Sequence, residues 1–148
     1  MALAGETVGV AVLLANGHLD IVRPSGKQVD ADYDYAPGEV QAFRSVGLKA
    51  IVSTKDDIEI RTPTTTTPLG VGPDARLVGF ADGNVVYARG SEIRDHKQPS
   101  GEDVVLRRVK PPFLAEFDRG GLAWTTGRHV CFSVRAFIAS ADPRAAGC

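Results

Sequence analysis

Little in this chain marks a particular chemistry, and each absence narrows the reading. Only two of its 148 residues are cysteine, Cys131 and Cys148, and they form neither a C-x-x-C pair nor a metal-finger spacing. That removes a dithiol redox centre and a thiolate zinc site. Neither charge is in excess: 17 basic residues stand against 18 acidic ones, scattered without the basic stripe that phosphate binding needs. No nucleic-acid partner is expected. The longest apolar run, Val8 to Ala15, has about eight residues where a membrane-spanning helix needs roughly 20, so no membrane span is expected either. The basic residues that precede a signal-peptide core are missing before that run, where Glu6 is the only charge, and the run leads into an Asn16-Gly17 turn. No signal peptide is evident. Ser25, Ser53, Ser91 and Ser133 lack the Gly-x-Ser-x-Gly frame of a nucleophile elbow. No segment carries a helical stripe of apolar residues.

What the chain does have is apolar content, 43% of residues, and a repeat. Phe43, Phe80 and Phe117 are spaced by 37 residues each time, and the segments around them align. In each, a first strand ends near the phenylalanine (VQAFRSV, ARLVGFA, FLAEFD), and a glycine follows at Gly47, Gly83 or Gly121, suited to the positive φ of a tight hairpin. A second strand rich in β-branched and aromatic residues comes next (KAIVST, NVVYARG, LAWTTG). The third (DIEIR, SEIRDH, HVCFSVR) alternates apolar and polar residues, as a sheet with unlike faces requires. A fainter fourth strand fits in VDADYDY, TTTTPLGV and DVVLRRV. Pro63, Pro68, Pro99, Pro111 and Pro112 gather around these outer segments, where an edge strand tolerates proline.

The N-terminal stretch fits the same template from Leu3 onward, with VGVAVLLA as second strand and HLDIVRP as third. The repeat therefore predicts an all-β, β-propeller-like fold of four consecutive antiparallel β-meanders in one domain, residues 1–138. The units fall at about 1–37, 38–74, 75–111 and 112–138, and residues 139–148 form an Ala-rich tail. The first unit begins late in its first strand and the last stops after its third. A two-sheet β-sandwich is the alternative arrangement of the same strands. An open row of meanders leaves end faces uncovered, so closure is expected within one compact ring, between two chains as a homodimer, or within a longer polypeptide.

The units ARLVGFADGNVVYARGSEIRDHKQPSGEDVVL and FRSVGLKAIVSTKDDIEIRTP resemble blades of the TolB-like and WD40-like propellers common in bacterial extracytoplasmic proteins. The resemblance covers roughly residues 1–138 and implies an extracytoplasmic or secreted setting. Four units are fewer than the six or seven usual there, and the family's aspartate-rich turn survives only as Gly72-Pro73-Asp74 and Pro37-Gly38-Glu39.

Several residues invite a chemical reading. His18 and His129 open third strands where Asp57 and Glu92 stand in the other units, and all four are metal-ligand types. Equivalent positions on successive meanders diverge, which argues for solvated turn residues instead. Asp30, Asp32 and Asp34 alternate with Ala31, Tyr33 and Tyr35, so a strand would set three carboxylates on one face. Calcium is the sharp reading, but the loop lacks the glycine and closing glutamate of a calcium hand, and a charged outer strand that resists edge-to-edge pairing is the plainer one. No metal and no cofactor is expected. His129 and Cys131 share a strand face without an orienting third group, so Cys131 is expected in the core. With sixteen residues between them, Cys131 and Cys148 can form a disulfide in an oxidising compartment. Tyr87, Trp124, Phe132 and Phe137 are expected to pack in the core or between neighbouring blades. The Thr64 to Thr67 run reads as an outer strand or long turn.

With no catalytic residue nominated, the expected function is a non-catalytic binding or scaffolding module for a protein or glycan partner, self-associating to close its ring. The alternative is part of a propeller-type hydrolase or lyase with polar or metal-binding residues near the ring axis.

Overall fold

The computed structural model describes residues 9–23, 33–119, 121–134 and 146–147. Every regular element among them is a β-strand and none is a helix. The chain divides into two compact units, Met1–Asp74 and Ala75–Cys148.

The first unit holds two antiparallel sheets. β1 (Val10–Leu13), β2 (His18–Val22) and β3 (Tyr33–Asp34) form one, in that order. Asn16 and Gly17 turn β1 into β2. Gly17 has a φ of 91°, its carbonyl accepts the Tyr35 N–H at 3.0 Å, and a Cβ there would overlap the Tyr35 carbonyl oxygen. Only glycine meets both demands. The second sheet is the meander β4 (Ala42–Val46), β5 (Lys49–Ser53), β6 (Ile58–Arg61) and β7 (Thr66–Pro68). Part of the threonine run is thus a strand, exposed at all three positions. Alternation puts Ala11, Leu19 and Ile21 of the first sheet against Ala50 and Val52 of the second, with Tyr35, Phe43 and Leu48 filling around them.

The second unit is one sheet of eight strands. β8 (Arg76–Ala81), β9 (Asn84–Arg89), β10 (Glu92–His96) and β11 (Asp103–Arg108) make one meander. β12 (Ala115–Asp118), β13 (Gly121–Thr126), β14 (His129–Val134) and β15 (Ala146–Gly147) make the other. The two join through their first strands, which run parallel and meet at Gly79 and Phe117. The sheet brings Val86, Ala88 and Ile93 of one half into a single core with Leu122, Trp124 and Cys131 of the other.

The strands therefore fall where the repeat places them, with three differences. Residues 139–148 contain a strand: β15 pairs with β14, giving the last meander a fourth strand that its two small residues did not announce. Gly121 opens β13 instead of lying in the turn before it. Phe132, expected inside, is 58% exposed, because β14 turns Cys131 and Ser133 inward. Leu3, Asp30, Asp32, Phe137 and Cys148 lie outside the described residues.

Candidate functional site

The matched third-strand positions His18, Asp57 and Glu92 each have partners in their own neighbourhood. His18 lies between two carboxylates, with Nδ1 at 2.7 Å from Asp34 and Nε2 at 3.1 Å from Asp20. Asp57 accepts backbone N–H groups from Gly70 and Val71 at 2.8 Å each and from Gly72 at 3.3 Å. Glu92 is paired with Arg94 and Arg108. His129 is exposed at the start of β14. The structure thus brings His18 to Asp34, two of the residues weighed for metal binding. Among the described residues no group of three or more His, Cys, Asp or Glu side chains could hold a metal ion. Cys131 is fully buried and disulfide-bonded; the only other cysteine of the chain, Cys148, lies outside the described residues.

The bond to Asp34 raises the His18 pKa above 6.5, with Asp20 adding to it. The charged imidazole therefore favours the paired β2–β3 arrangement. That contribution is fully present below pH 6.5 and fades as the pH rises through the higher folded value. In a proton NMR titration His18 is expected to titrate above 6.5, and Asp34→Asn to move its midpoint down; an unmoved midpoint would show that the Asp34 contact does not hold in solution.

Two further networks tie strands together. Asp103 accepts hydrogen bonds from the Tyr87 hydroxyl at 2.9 Å and pairs with His96 Nδ1 at 3.0 Å, linking β9, β10 and β11. Burial, then the Asp103 bond, raises the Tyr87 pKa, so the phenol stays a donor. In the first unit the Arg61 guanidinium lies 4.3 Å from the Tyr33 ring centre and 5.3 Å from that of Tyr35, and its Nε donates to Glu59 at 2.9 Å. Both networks have the form of braces between strands.

The surface that stands apart is the outward face of β12, β13 and β14. Its residues form three rows across the strands, set by the observed pairing: Leu114, Thr125, Val130; then Glu116, Ala123, Phe132; then Asp118, Gly121, Val134. Large apolar residues on β14 form one wall, carboxylates on β12 the other, and the small Gly121 and Ala123 a low floor between them. The result is a cleft of about 240 Å³. Leu114 and Val130 are 72% and 70% exposed beside it. An apolar wall of this kind can take up apolar side chains.

A second apolar stripe is made by Val10 and Val12 of β1 and Leu14 just after it, all exposed. β5 and β9 differ: Ala50, Ile51, Val52 and Ser53 are all buried, as are Val85, Val86, Tyr87 and Ala88. β1 and β13 alternate instead: Ala11, Leu122 and Trp124 are buried and their strand neighbours are exposed or half-buried. Set against known proteins, the chain matches no family model and no curated protein sequence.

Sequence reasoning missed the face because the pattern HVCFSV is apolar at both parities. Val130, Phe132 and Val134 outweigh Cys131 and Ser133 in hydrophobicity, so a preference for burying the greasier side picks the wrong one. The useful signal was the cysteine, a residue type found buried more often than most.

Proposed function

We propose that this chain is a non-catalytic, propeller-like binding module that meets a protein partner through the face of β12–β14. The observation that carries the reading is the exposed apolar stripe of Val130, Phe132 and Val134 on β14. Exposed apolar surface of this kind marks a contact surface. Of the two partner classes, protein fits better than glycan: several aliphatic side chains surround a single aromatic ring, whereas sugar hydroxyls call for a denser set of polar partners. The 37-residue repeat and the meanders built on it support blades of the TolB-like and WD40-like kind. The disulfide-bonded Cys131 supports an oxidising, extracytoplasmic compartment.

The test places a photo-activated benzoylphenylalanine at position 132 of the full chain in its native host. The expected result is an adduct carrying a second polypeptide. Adducts with glycan alone, or no adduct, would end the protein-binding reading, and substrate turnover by the unaltered chain would end the non-catalytic one.

A further inference from the structure

We infer that Thr64 and Thr67 are sites of O-glycosylation, each carrying a sugar on its hydroxyl. They lie on the outer edge of the first unit, and the inference does not depend on the protein-binding reading of β12–β14.

The β6–β7 hairpin presents the acceptors. Its tip is Pro63 and Thr64, closed by the bond from the Thr62 N–H to the Thr65 carbonyl at 2.9 Å, and β7 runs back along β6 as the last strand of its sheet. All four threonines from Thr64 to Thr67 are exposed. Their hydroxyls are not equivalent. The Thr65 hydroxyl shares a hydrogen bond with that of Thr62 at 2.7 Å, and the Thr66 hydroxyl accepts one from the Arg61 guanidinium. Those of Thr64 and Thr67 have no partner among the described residues, so they can react without giving up a bond. Pro63 and Pro68 bracket the run, and threonine interspersed with proline is the composition of O-glycosylated segments. Asn16 and Asn84, the only asparagines, both lack the Asn-x-Ser/Thr frame. The acceptor this chain offers is a hydroxyl, not an amide.

The edge of β7 also has a use for a glycan. Thr65 bonds back to Thr62 and Leu69 to Ile58, so on the alternating pattern of an antiparallel ladder Thr66 and Pro68 turn their backbone groups away from β6. Pro68 has no N–H, but Thr66 still offers one donor to a strand from another chain. Charged side chains are a common guard against such pairing. The outer strand β3 carries Asp34 and β11 carries Asp103, Arg107 and Arg108, whereas β7 carries none and no charge falls between Arg61 and Asp74. A bulky, hydrated sugar at the hairpin tip and another on β7 supply the guard that charge supplies elsewhere.

In the transfer, the threonine Oγ1 attacks the anomeric carbon of a sugar activated as its diphosphate ester. The bond from that carbon to Oγ1 forms, its bond to the diphosphate oxygen breaks, the hydroxyl proton passes to a general base of the transferase, and the diphosphate leaves with the electron pair.

The test is the intact mass of the full chain purified from its native host, set against the chain made in a host without protein O-glycosylation. The expected result is a mass excess of whole sugar residues, placed on both Thr64 and Thr67 by electron-transfer fragmentation. Replacing both, Thr64→Val with Thr67→Val, should abolish the excess, because valine keeps the β-branch that suits a strand and removes the acceptor; Thr65→Val should leave the excess in place. Equal urea midpoints for the unmodified chains show that the variants still fold. A native chain of bare mass, an excess of phosphate instead of sugar, or sugar missing from either threonine would overturn the inference.

Discussion

Replacing Gly79 with alanine is expected to cost about 3 kcal/mol or more, at the top of the range for overpacking a buried site. Gly79 sits where β8 and β12 pair in parallel, opposite Phe117. A Cβ built there would overlap the Phe117 carbonyl oxygen and lie 2.8 Å from its carbonyl carbon. Neither atom is the free end of a side chain that could swing away, so the strands themselves must separate. The register of β8 against β9 already shifts between Leu77 and Gly79, which leaves this stretch little room to adjust. Separation would also loosen Val78, Phe113 and Phe117 in the core. Urea unfolding followed by tryptophan fluorescence reads the loss directly, since Trp124 lies in that core. Gly90→Ala is the control. Gly90 has a φ of 58° but nothing within 4 Å of its absent Cβ, so it should cost only the roughly 1–2 kcal/mol of a left-handed alanine. Equal losses at the two sites would mean that the β8–β12 contact is looser than described.

Asp57→Ala should destabilise the chain by about 2–3 kcal/mol, and Asp57→Asn by roughly half as much. The residue lies just before β6, and its carboxylate is enclosed by successive backbone N–H groups of Gly70, Val71 and Gly72, two of which reach the same oxygen. Gly70 and Gly72 both have positive φ, 69° and 85°, which turns their N–H groups to one side as an anion-binding nest. Val71 is 3% exposed, so water cannot readily replace the lost acceptor there. An asparagine keeps one oxygen and loses the charge. Chemical denaturation gives the energy, and the amide shifts of Gly70 and Val71 should move first and furthest. An alanine variant as stable as wild type would mean that solvent satisfies the nest equally well.

These two residues also show how far the sequence reaches. Strand positions were legible because β-strand physics is local: NVVYARG and KAIVST are β-branched runs bounded by turns, and β9 and β5 occupy almost the same residues. Repetition at 37 residues then supported the weaker segments, including β11 in DVVLRRV and β7 in the threonine run. What local pattern cannot supply is which strands meet out of order. Nothing distinguishes Gly79 from other glycines until β12 is brought beside it. Asp57 was aligned with His18, Glu92 and His129 by register alone, and register says nothing about a loop thirteen residues further on. Phe132 was misplaced for the opposite reason: its local pattern is apolar at both parities, and Cys131 and Ser133 took the covered side of β14.

The parallel joint between β8 and β12 makes the two halves of the chain open in different ways. Among the described residues, the two sheets of the first unit share no backbone ladder and are joined by side-chain packing and by side-chain hydrogen bonds, such as those from the Ala11 N–H to the Ser45 hydroxyl and from the Tyr33 hydroxyl to the Thr62 carbonyl, 2.8 Å each. The β1–β3 sheet can therefore lift away with the backbone ladder of β4–β7 intact. In the second unit the ladder runs unbroken through eight strands, and freeing either meander breaks backbone pairing as well as the core. Amides of β8 to β14 should thus exchange with solvent as one cooperative block, while those of β1 and β2 exchange earlier and by themselves.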